Sequence, residues 1–150
     1  MKYVTIDTTC FADFHTLLNA YYREGEDADT PQSEVDGFID CLFRLCLEGR
    51  ISGCIAYEEK ATGFALWQMD SEDAVFSNKP GYGTILEIGV VPSRRGSGLG
   101  KQLADYAESR MGADRYYVCA YGPAEKFWAD CGYTDSGEIA NNGLKIMVKA

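Results

Sequence analysis

The feature that most restricts the fold is a run near the middle of the chain that joins an apolar strand to a glycine-rich turn and a helix. This run is LEIGVVPSRRGSGLGK, residues 86–101. Its glycines let backbone amides approach a ligand closely, and those amides meet at the positive end of the following helix dipole. Arg94, Arg95 and Lys101 add positive charge at the same place. We therefore predict that this turn binds a pyrophosphate group.

Glycine-rich turns of several kinds bind phosphates, and two of them do not fit this run. A P-loop needs G-x-x-x-x-G-K-[ST], but Lys101 is followed by Gln102 and the glycines are spaced differently. A dinucleotide-binding turn needs G-x-G-x-x-G near the start of a βαβ unit. Here Gly96, Gly98 and Gly100 give G-x-G-x-G after a long mixed segment. A nucleotide-binding α/β module stays open as an alternative.

A third kind of turn fits better. The pattern R-x-x-G-x-G at residues 95–100 resembles the [QR]-x-x-G-x-[GA] signature of the GNAT family of N-acetyltransferases. The V-V-P at residues 90–92 is similar to the V-x-P that usually stands just before it. The run AEKFWADCGY, residues 124–133, resembles the family's A-x-x-[FL]-[YF]-x-x-x-G-[FY] helix, apart from Trp128. The resemblance is specific over residues 86–133 and concerns element order elsewhere.

Hydrophobic periodicity predicts an α/β fold with the element order β-α-α-β-β-β-α-β-α-β-β. The predicted strands are Lys2–Ile6, Ile51–Glu59, Gly63–Met69, Thr84–Val91, Tyr116–Tyr121, Tyr133–Glu138 and Leu144–Val148. A mixed central sheet with helices on both faces is the simplest arrangement of these elements. It is also the acyl-CoA N-acyltransferase fold that the resemblance implies, here as a single domain over residues 1–150.

Two helices are predicted before the second strand, and the later helices are expected at 99–111 and 123–131. Thr8 or Thr9 is the expected N-cap of the first helix, and Thr30-Pro31 is expected to begin the second. The apolar face of the first helix comprises Phe11, Phe14, Leu18 and Tyr21. The buried stripe of the second comprises Val35, Phe38, Leu42 and Leu45.

The resemblance implies where the acetyl donor, acetyl-CoA, is held. In the family the motif strand and the next strand splay apart, and the pantetheine arm lies in the gap. Carried over, main-chain groups of Ile88, Gly89 and Val90 contact pantetheine and the acetyl carbonyl, with an amide near Val90 as the oxyanion donor. The pyrophosphate is held by the amides of Arg95, Gly96, Ser97, Gly98, Leu99, Gly100 and Lys101.

The reaction implied is direct attack by a primary amine of a small molecule or peptide on the thioester in a ternary complex. The alternative is a non-catalytic acyl-CoA sensor with the same fold. The amine must lose a proton, and we expect Glu87, the charged residue of the motif strand, to take it. The competing interpretation is a solvent-edge or arginine-paired carboxylate. Trp128 stands where the family has a proton-donating tyrosine, and indole cannot act as that donor. Tyr121 is the candidate replacement, with protonation by solvent left open.

Charge limits the partners. The net charge is −9, from 14 Lys and Arg against 23 Asp and Glu, so we expect neither nucleic acid nor a membrane as a partner. Acidic residues concentrate around the predicted loop between the first two helices, which in the family borders the acceptor site. They are Glu24, Glu26, Asp27, Asp29, Glu34, Asp36 and Asp40. This segment either attracts a cationic acceptor or is a solvated surface. Asp70, Glu72 and Asp73 are expected to extend the same wall.

The cysteines predict neither disulfides nor a metal site. Six cysteines occur without a C-x-x-C pair, and His15 is the sole histidine. The first residues do not resemble a signal peptide, and no apolar run reaches the length of a membrane span. We expect buried, reduced thiols and a cytoplasmic protein. The sequence leaves a homodimer open.

Overall fold

The computed structural model of the chain describes residues 1–25 and 27–150. In these residues, seven strands form one sheet and four α-helices cover it. The strands are β1 (Lys2–Thr5), β2 (Ser52–Tyr57), β3 (Ala61–Met69), β4 (Gly83–Val90), β5 (Tyr116–Ala120), β6 (Thr134–Ile139) and β7 (Lys145–Lys149). The helices are α1 (Phe11–Glu24), α2 (Gln32–Leu47), α3 (Leu99–Met111) and α4 (Glu125–Asp130). The predicted element order is confirmed.

The strand order in the sheet is β1-β2-β3-β4-β5-β7-β6. Neighbouring strands are antiparallel except β4 and β5, which are parallel. Strand β3 is buried along most of its length because both of its faces are covered. Phe64 and Leu66 point into the core formed with α1 and α2, whereas Ala65 and Trp67 point into the core formed with α3 and α4. The predicted α/β sheet with helices on both faces is therefore confirmed.

The predicted helix faces are correct in outline and wrong at two aromatic residues. Phe14 and Leu18 are fully buried, but Phe11 is 38% exposed and rests edge-on against Phe43, with ring centroids 4.9 Å apart. In α2 the stripe runs through Ile39, which is fully buried, while Phe38 is 46% exposed. Phe38 and Ile39 are successive residues about 100° apart around the helix, and Ile39 is the one that packs into the core.

The predicted helix caps are also wrong. The N-cap position of α1 is Cys10 rather than a threonine, and the N-cap position of α2 is Pro31 rather than Thr30. Within the described residues, neither helix start is capped by a side chain. The β2–β3 turn comes slightly earlier than predicted, because Ala61 already belongs to β3. The last two predicted strands are confirmed as a pair, and the turn between them lies at residues 141–143, where the amide of Ala140 donates to the carbonyl of Leu144 at 2.8 Å.

Two irregularities in β4 prepare a gap in the sheet. Across the part of the chain that the structure describes, β4 pairs with β5 at Gly83–Tyr116 and Thr84–Tyr117, after which the strands diverge. On the other side, the register with β3 shifts between Leu66 and Trp67, so that Leu86 is an extra residue in β4. Such bulges bend a strand and redirect its side chains, and they are frequent beside active sites.

Candidate active site

The divergence of β4 from β5 opens a cavity of about 580 Å³ that is walled by α1, β4, β5, α4 and the β6–β7 turn. Among the residues predicted for the site, Glu87, Ile88, Gly89, Val90 and Tyr121 line it. A second cavity of about 360 Å³ lies at the N-terminus of α3, beside the glycine-rich turn. Arg95 and Gly100 border both cavities, so the two spaces adjoin each other.

The backbone of β4 presents alternate residues to the gap. The amide of Val91 donates to the carbonyl of Thr62 on β3 at 2.9 Å. Because successive residues of a strand turn their amides and carbonyls to opposite edges, the amides and carbonyls of Val90 and Ile88 face the gap. Those of Gly89 face β3 instead. The cavity therefore has a row of backbone donors and acceptors on one wall.

Gly89 is required by packing rather than by its own backbone groups. A Cβ at this position would lie 2.6 Å from Cε1 of Phe64 and 3.1 Å from Cδ1 of Tyr21. Gly100 has a similar explanation, since a Cβ there would lie 2.9 Å from Cε1 of Phe127. Both glycines let large aromatic rings approach the cavity wall. The sequence suggested glycines that clear space for a ligand, and here they also clear space for side chains.

The turn before α3 is built to expose backbone amides. Gly96 and Gly98 have φ values of 75° and 87°, a left-handed conformation that glycine adopts without strain. Gly98 is the N-cap of α3, and within the described residues no side chain caps that end. The first amides of a helix lack an intrahelical partner, so those of Leu99, Gly100 and Lys101 are available to an anion. The Leu99 side chain itself is 1% exposed and belongs to the core.

The basic residues of the turn are held by neighbouring carboxylates. Arg95 pairs with Glu24 at the end of α1, and Arg94 pairs with Glu58 in the β2–β3 turn. Lys101 lies 3.3 Å from Asp105 one helical turn later. Ser97 is exposed, and its hydroxyl donates to the carbonyl of Arg94. Arg95 and Lys101 border the second cavity, whereas the Ser97 side chain is turned back on the loop.

Glu87 lies in an unusual polar cluster inside the main cavity. The β4 bulge turns its side chain toward α1, where Tyr22 borders the same cavity. Burial, the charges of Glu87 and Asp27, and a hydrogen bond to the Glu87 carboxylate raise the pKa of the Tyr22 hydroxyl. Burial, followed by the charges of Asp70 and Glu87, raises the pKa of the Cys119 thiol to about 11. Both groups are therefore protonated at neutral pH, beside a carboxylate.

Sequence reasoning missed Tyr22. Apolar spacing on α1 selects Tyr21, and nothing in the sequence shows that the neighbouring hydroxyl meets the bulged strand. Tyr121 lies just beyond β5, is 39% exposed and borders the main cavity. Trp128 is 6% exposed, with its ring 4.9 Å from that of Phe127. It fills the core and forms part of the cavity wall.

The acidic segment divides into different environments. Glu24 and Asp27 border the main cavity, whereas Asp29 and Asp40 are exposed. Glu26 lies outside the described residues. Asp36 lies away from the cavity wall and accepts a hydrogen bond from Nε2 of His15 at 2.8 Å.

The expected contribution of Asp70 to this wall is wrong. Asp70 is 3% exposed and accepts bonds from the amides of Asn78 and Lys79 at 2.9 and 2.8 Å and from the Tyr117 hydroxyl at 2.7 Å. These bonds hold the loop over residues 71–82. Glu72 and Asp73 are exposed on that loop, and in the described part of the chain they do not border the main cavity.

The six cysteines, which all belong to the described residues, are free thiols. Their predicted burial is wrong for Cys41, which is exposed on α2. Within residues 1–25 and 27–150, no cluster of three His, Cys, Asp or Glu side chains is arranged to hold a metal ion. None of the described helices combines the length and the apolar character that a membrane-spanning helix needs.

Several solved structures share this fold. The N-acetyltransferase PaiA from Thermoplasma acidophilum, solved in complex with coenzyme A, superposes with a TM-score of 0.73 at 12% identity, covering 99% of this chain and 99% of that chain. A GNAT-related N-acetyltransferase from Ralstonia eutropha JMP134 gives 0.72 at 20% identity, covering 93% and 96%. AAC(6')-Iy, bound to the bisubstrate analogue CoA-S-monomethyl-acetylneamine, gives 0.69 at 14% identity, covering 92% and 93%.

Among curated proteins, the sequence has no significant match. The family model described as the acetyltransferase (GNAT) family matches residues 11–133, from the start of α1 to the end of the α4 motif. This match spans most of the chain and includes the gap and the glycine-rich turn. The chain therefore belongs to the acetyltransferase (GNAT) family and is an acyltransferase.

Proposed function

We propose that this protein transfers an acetyl group from acetyl-CoA to a primary amine of a small molecule or peptide, with both substrates bound at once. The observation that carries the proposal is the gap between β4 and β5, which lies directly beside the N-terminus of α3, where none of the described side chains caps the helix. One elongated ligand with a phosphate end and a polar arm fits these two adjoining spaces. Its arm can hydrogen-bond to the edge of β4 as an additional strand does.

The residues present fit acetyl-CoA on two independent points. The left-handed Gly98 and the free first-turn amides of α3 form an anion site with Arg95 and Lys101 nearby. The groups of Ile88 and Val90 that face the gap match the alternating amides of a pantetheine arm. Acetyl-CoA supplies the activated thioester. Gly96, Ser97, Leu99 and Gly100 complete the proposed phosphate turn through their backbones.

The protein's own groups then manage charge and protons. Glu87 holds the proton that the amine loses as its nitrogen bonds to the acetyl carbon. The Val90 amide donates to the carbonyl oxygen while negative charge develops on it. The carbon–sulfur bond breaks, and Tyr121 or solvent returns a proton to the departing thiolate. The protonated Cys119 thiol favours this direct route over an acetyl-cysteine step.

The wall of the main cavity favours a cationic acceptor. Among the described residues, the carboxylates of Glu24, Asp27 and Glu87 border it, and the one basic side chain on this described wall, Arg95, is paired with Glu24. Attraction of an ammonium group by such a wall raises its local concentration. A structural neighbour, AAC(6')-Iy, is bound to an analogue that joins CoA to an acetylneamine. We propose a polyamine, an aminoglycoside-like amine or a lysine-type amine as the acceptor. A single domain, a cytoplasmic location and a homodimer stay predictions.

The proposal is tested with the variant Glu87→Gln and an amine panel of spermidine, neamine and lysine. We expect kcat to fall about 100-fold or more, with little change in acetyl-CoA affinity measured by calorimetry, because the variant removes a proton acceptor and keeps its shape. The acidic limb of the kcat profile against pH should disappear. Glu72→Gln is the control, since Glu72 is exposed outside the site. Wild-type turnover by Glu87→Gln would exclude this role. Binding of acetyl-CoA without turnover of any amine would favour the sensor alternative.

A further inference from the structure

Arg23, in the last turn of α1, organises the segment that leads toward α2. Its Nη1 atom donates to the carbonyl oxygens of Asp27 at 3.1 Å and Ala28 at 3.2 Å, and also to that of Thr30. Its Nε and Nη2 atoms donate to Oε1 of Gln32 at 3.1 and 2.9 Å. One guanidinium therefore gathers the segment 27–30 and the first residue of α2 around the end of α1.

The segment that Arg23 holds reaches the main cavity. Gly25 and Asp27 border the cavity, while Arg23 itself lies outside the wall that the described residues form. One Asp27 carboxylate oxygen accepts a bond from the Thr30 hydroxyl at 3.0 Å, which fixes the direction of that side chain. Asp27 is also close enough to Tyr22 for its charge to help raise the Tyr22 pKa. The orientation of Asp27 toward the acceptor space thus depends on backbone groups that Arg23 binds.

Arginine suits this task and lysine does not. The guanidinium offers five N–H donors in a rigid planar fork, whereas an ammonium is a point charge on a flexible stem. The acceptors here are carbonyl oxygens and an amide oxygen spread over residues 27–32. A single ammonium cannot meet them together in a fixed geometry. The arrangement needs the shape of the fork as well as its charge.

We propose that Arg23 is a positioning residue for the acceptor, which sets the affinity for the amine by holding segment 27–30 so that Asp27 faces the cavity. The inference rests on the proposed function of that cavity as an acceptor site. Arg23 acts through the segment and does not touch the substrate. It should therefore affect the KM of the amine and leave the binding of acetyl-CoA unchanged.

The first test needs no substrate. In the free protein, the amides of Ala28 and Thr30 donate to the carbonyls of Gly25 and Asp27 at 3.3 and 3.2 Å. In Arg23→Gln we expect their hydrogen exchange, followed by NMR, to accelerate about tenfold or more because the segment loses its anchor. Arg110→Gln is the control, since Arg110 is exposed in the last turn of α3 and makes the same change in charge. Unchanged exchange in Arg23→Gln overturns the proposal.

The second test separates positioning from a merely structural role. With spermidine, neamine and lysine as acceptors, Arg23→Gln should raise the amine KM about tenfold and leave the acetyl-CoA KM within about twofold. Arg23→Lys should behave like Arg23→Gln, because charge alone does not replace the fork. Full rescue by lysine, or equal rises in both KM values, overturns the proposal. If the wild type acetylates none of the amines, the proposed function fails, and the exchange measurement alone decides whether Arg23 holds the segment.

Discussion

Replacing Gly98 by aspartate tests the phosphate site with a charge placed where the anion is expected. Gly98 is the N-cap of α3, its φ is 87°, and a Cβ added there meets no atom within 4 Å. The side chain of Gly98→Asp therefore fits sterically. Its cost to the free protein is the left-handed conformation, about 1–2 kcal/mol for an ordinary residue and less for Asp or Asn. The fold should survive.

The effect on binding follows from Coulomb's law. A carboxylate about 6 Å from one phosphate charge, at an effective dielectric constant of about 20, costs roughly 2–3 kcal/mol. We expect the Kd of coenzyme A, measured by calorimetry, to rise about 30- to 150-fold. Gly98→Asn has nearly the same shape and backbone strain without the charge, and its Kd should change by less than about fivefold.

A second control places the same charge and strain at the far end of the helix. Gly112 follows α3, has a φ of 59°, and also has open space around an added Cβ. The helix has 13 residues and is about 20 Å long, beyond the Debye length of about 10 Å at 0.1 M salt. Gly112→Asp should leave the Kd unchanged. Equal affinities for Gly98→Asp and Gly98→Asn would refute the phosphate assignment.

Three further predictions concern the ion pairs and the thiols. Glu24→Gln should release Arg95 from its ion pair and tighten coenzyme A binding, measured by calorimetry, by up to about fivefold. The effect is small because both side chains of the pair are about half exposed, and exposed pairs contribute roughly 0–1 kcal/mol. Weaker binding would contradict this prediction. Glu108→Ala should lower the free energy of unfolding, measured in urea, by about 2–4 kcal/mol. The reason is that the Glu108 carboxylate accepts hydrogen bonds from the buried Tyr133 hydroxyl at 2.7 Å and from Lys149 Nζ at 2.8 Å. The control Glu59→Ala, at an exposed residue, should lower it by less than about 0.5 kcal/mol. At pH 8, iodoacetamide should modify the exposed Cys41 before Cys54, because burial raises the pKa of Cys54 to about 12 and keeps it a protonated thiol. Peptide mass spectrometry measures the two rates, and faster alkylation of Cys54 than of Cys41 would refute this prediction.

The sequence was sufficient where a local pattern determines a local structure. The apolar β4, the proline, the spaced glycines and the start of α3 at Leu99 follow from residue types within one short run. The gap between β4 and β5 followed from the family resemblance, since no spacing in the sequence states where two strands separate. The assignment of the turn residues 95–101 to a phosphate site rests on the same resemblance and stays a proposal.

What the sequence could not predict depends on contacts between distant segments. Phe38 and Ile39 are adjacent apolar residues, and the packing of α2 on the sheet decides which one is buried. The meeting of Tyr22 with Glu87 depends on a bulge at Leu86, which leaves no mark in the hydrophobic pattern. No sequence pattern distinguishes Arg23, because its importance lies in the carbonyl groups of segment 27–30 that the fold brings around it.

The most direct test of the central claim is the stoichiometry of acetyl transfer. Wild-type protein is incubated with acetyl-CoA and each of spermidine, neamine and lysine, and free CoA and acetylated amine are both quantified by mass spectrometry. A ternary-complex acetyltransferase yields one acetylated amine for each CoA released, with no acetyl group left on the protein when the amine is omitted, and Gly98→Asp loses this activity at low acetyl-CoA. CoA release without an acetylated amine, or an acetylated protein formed in the absence of amine, would contradict the account.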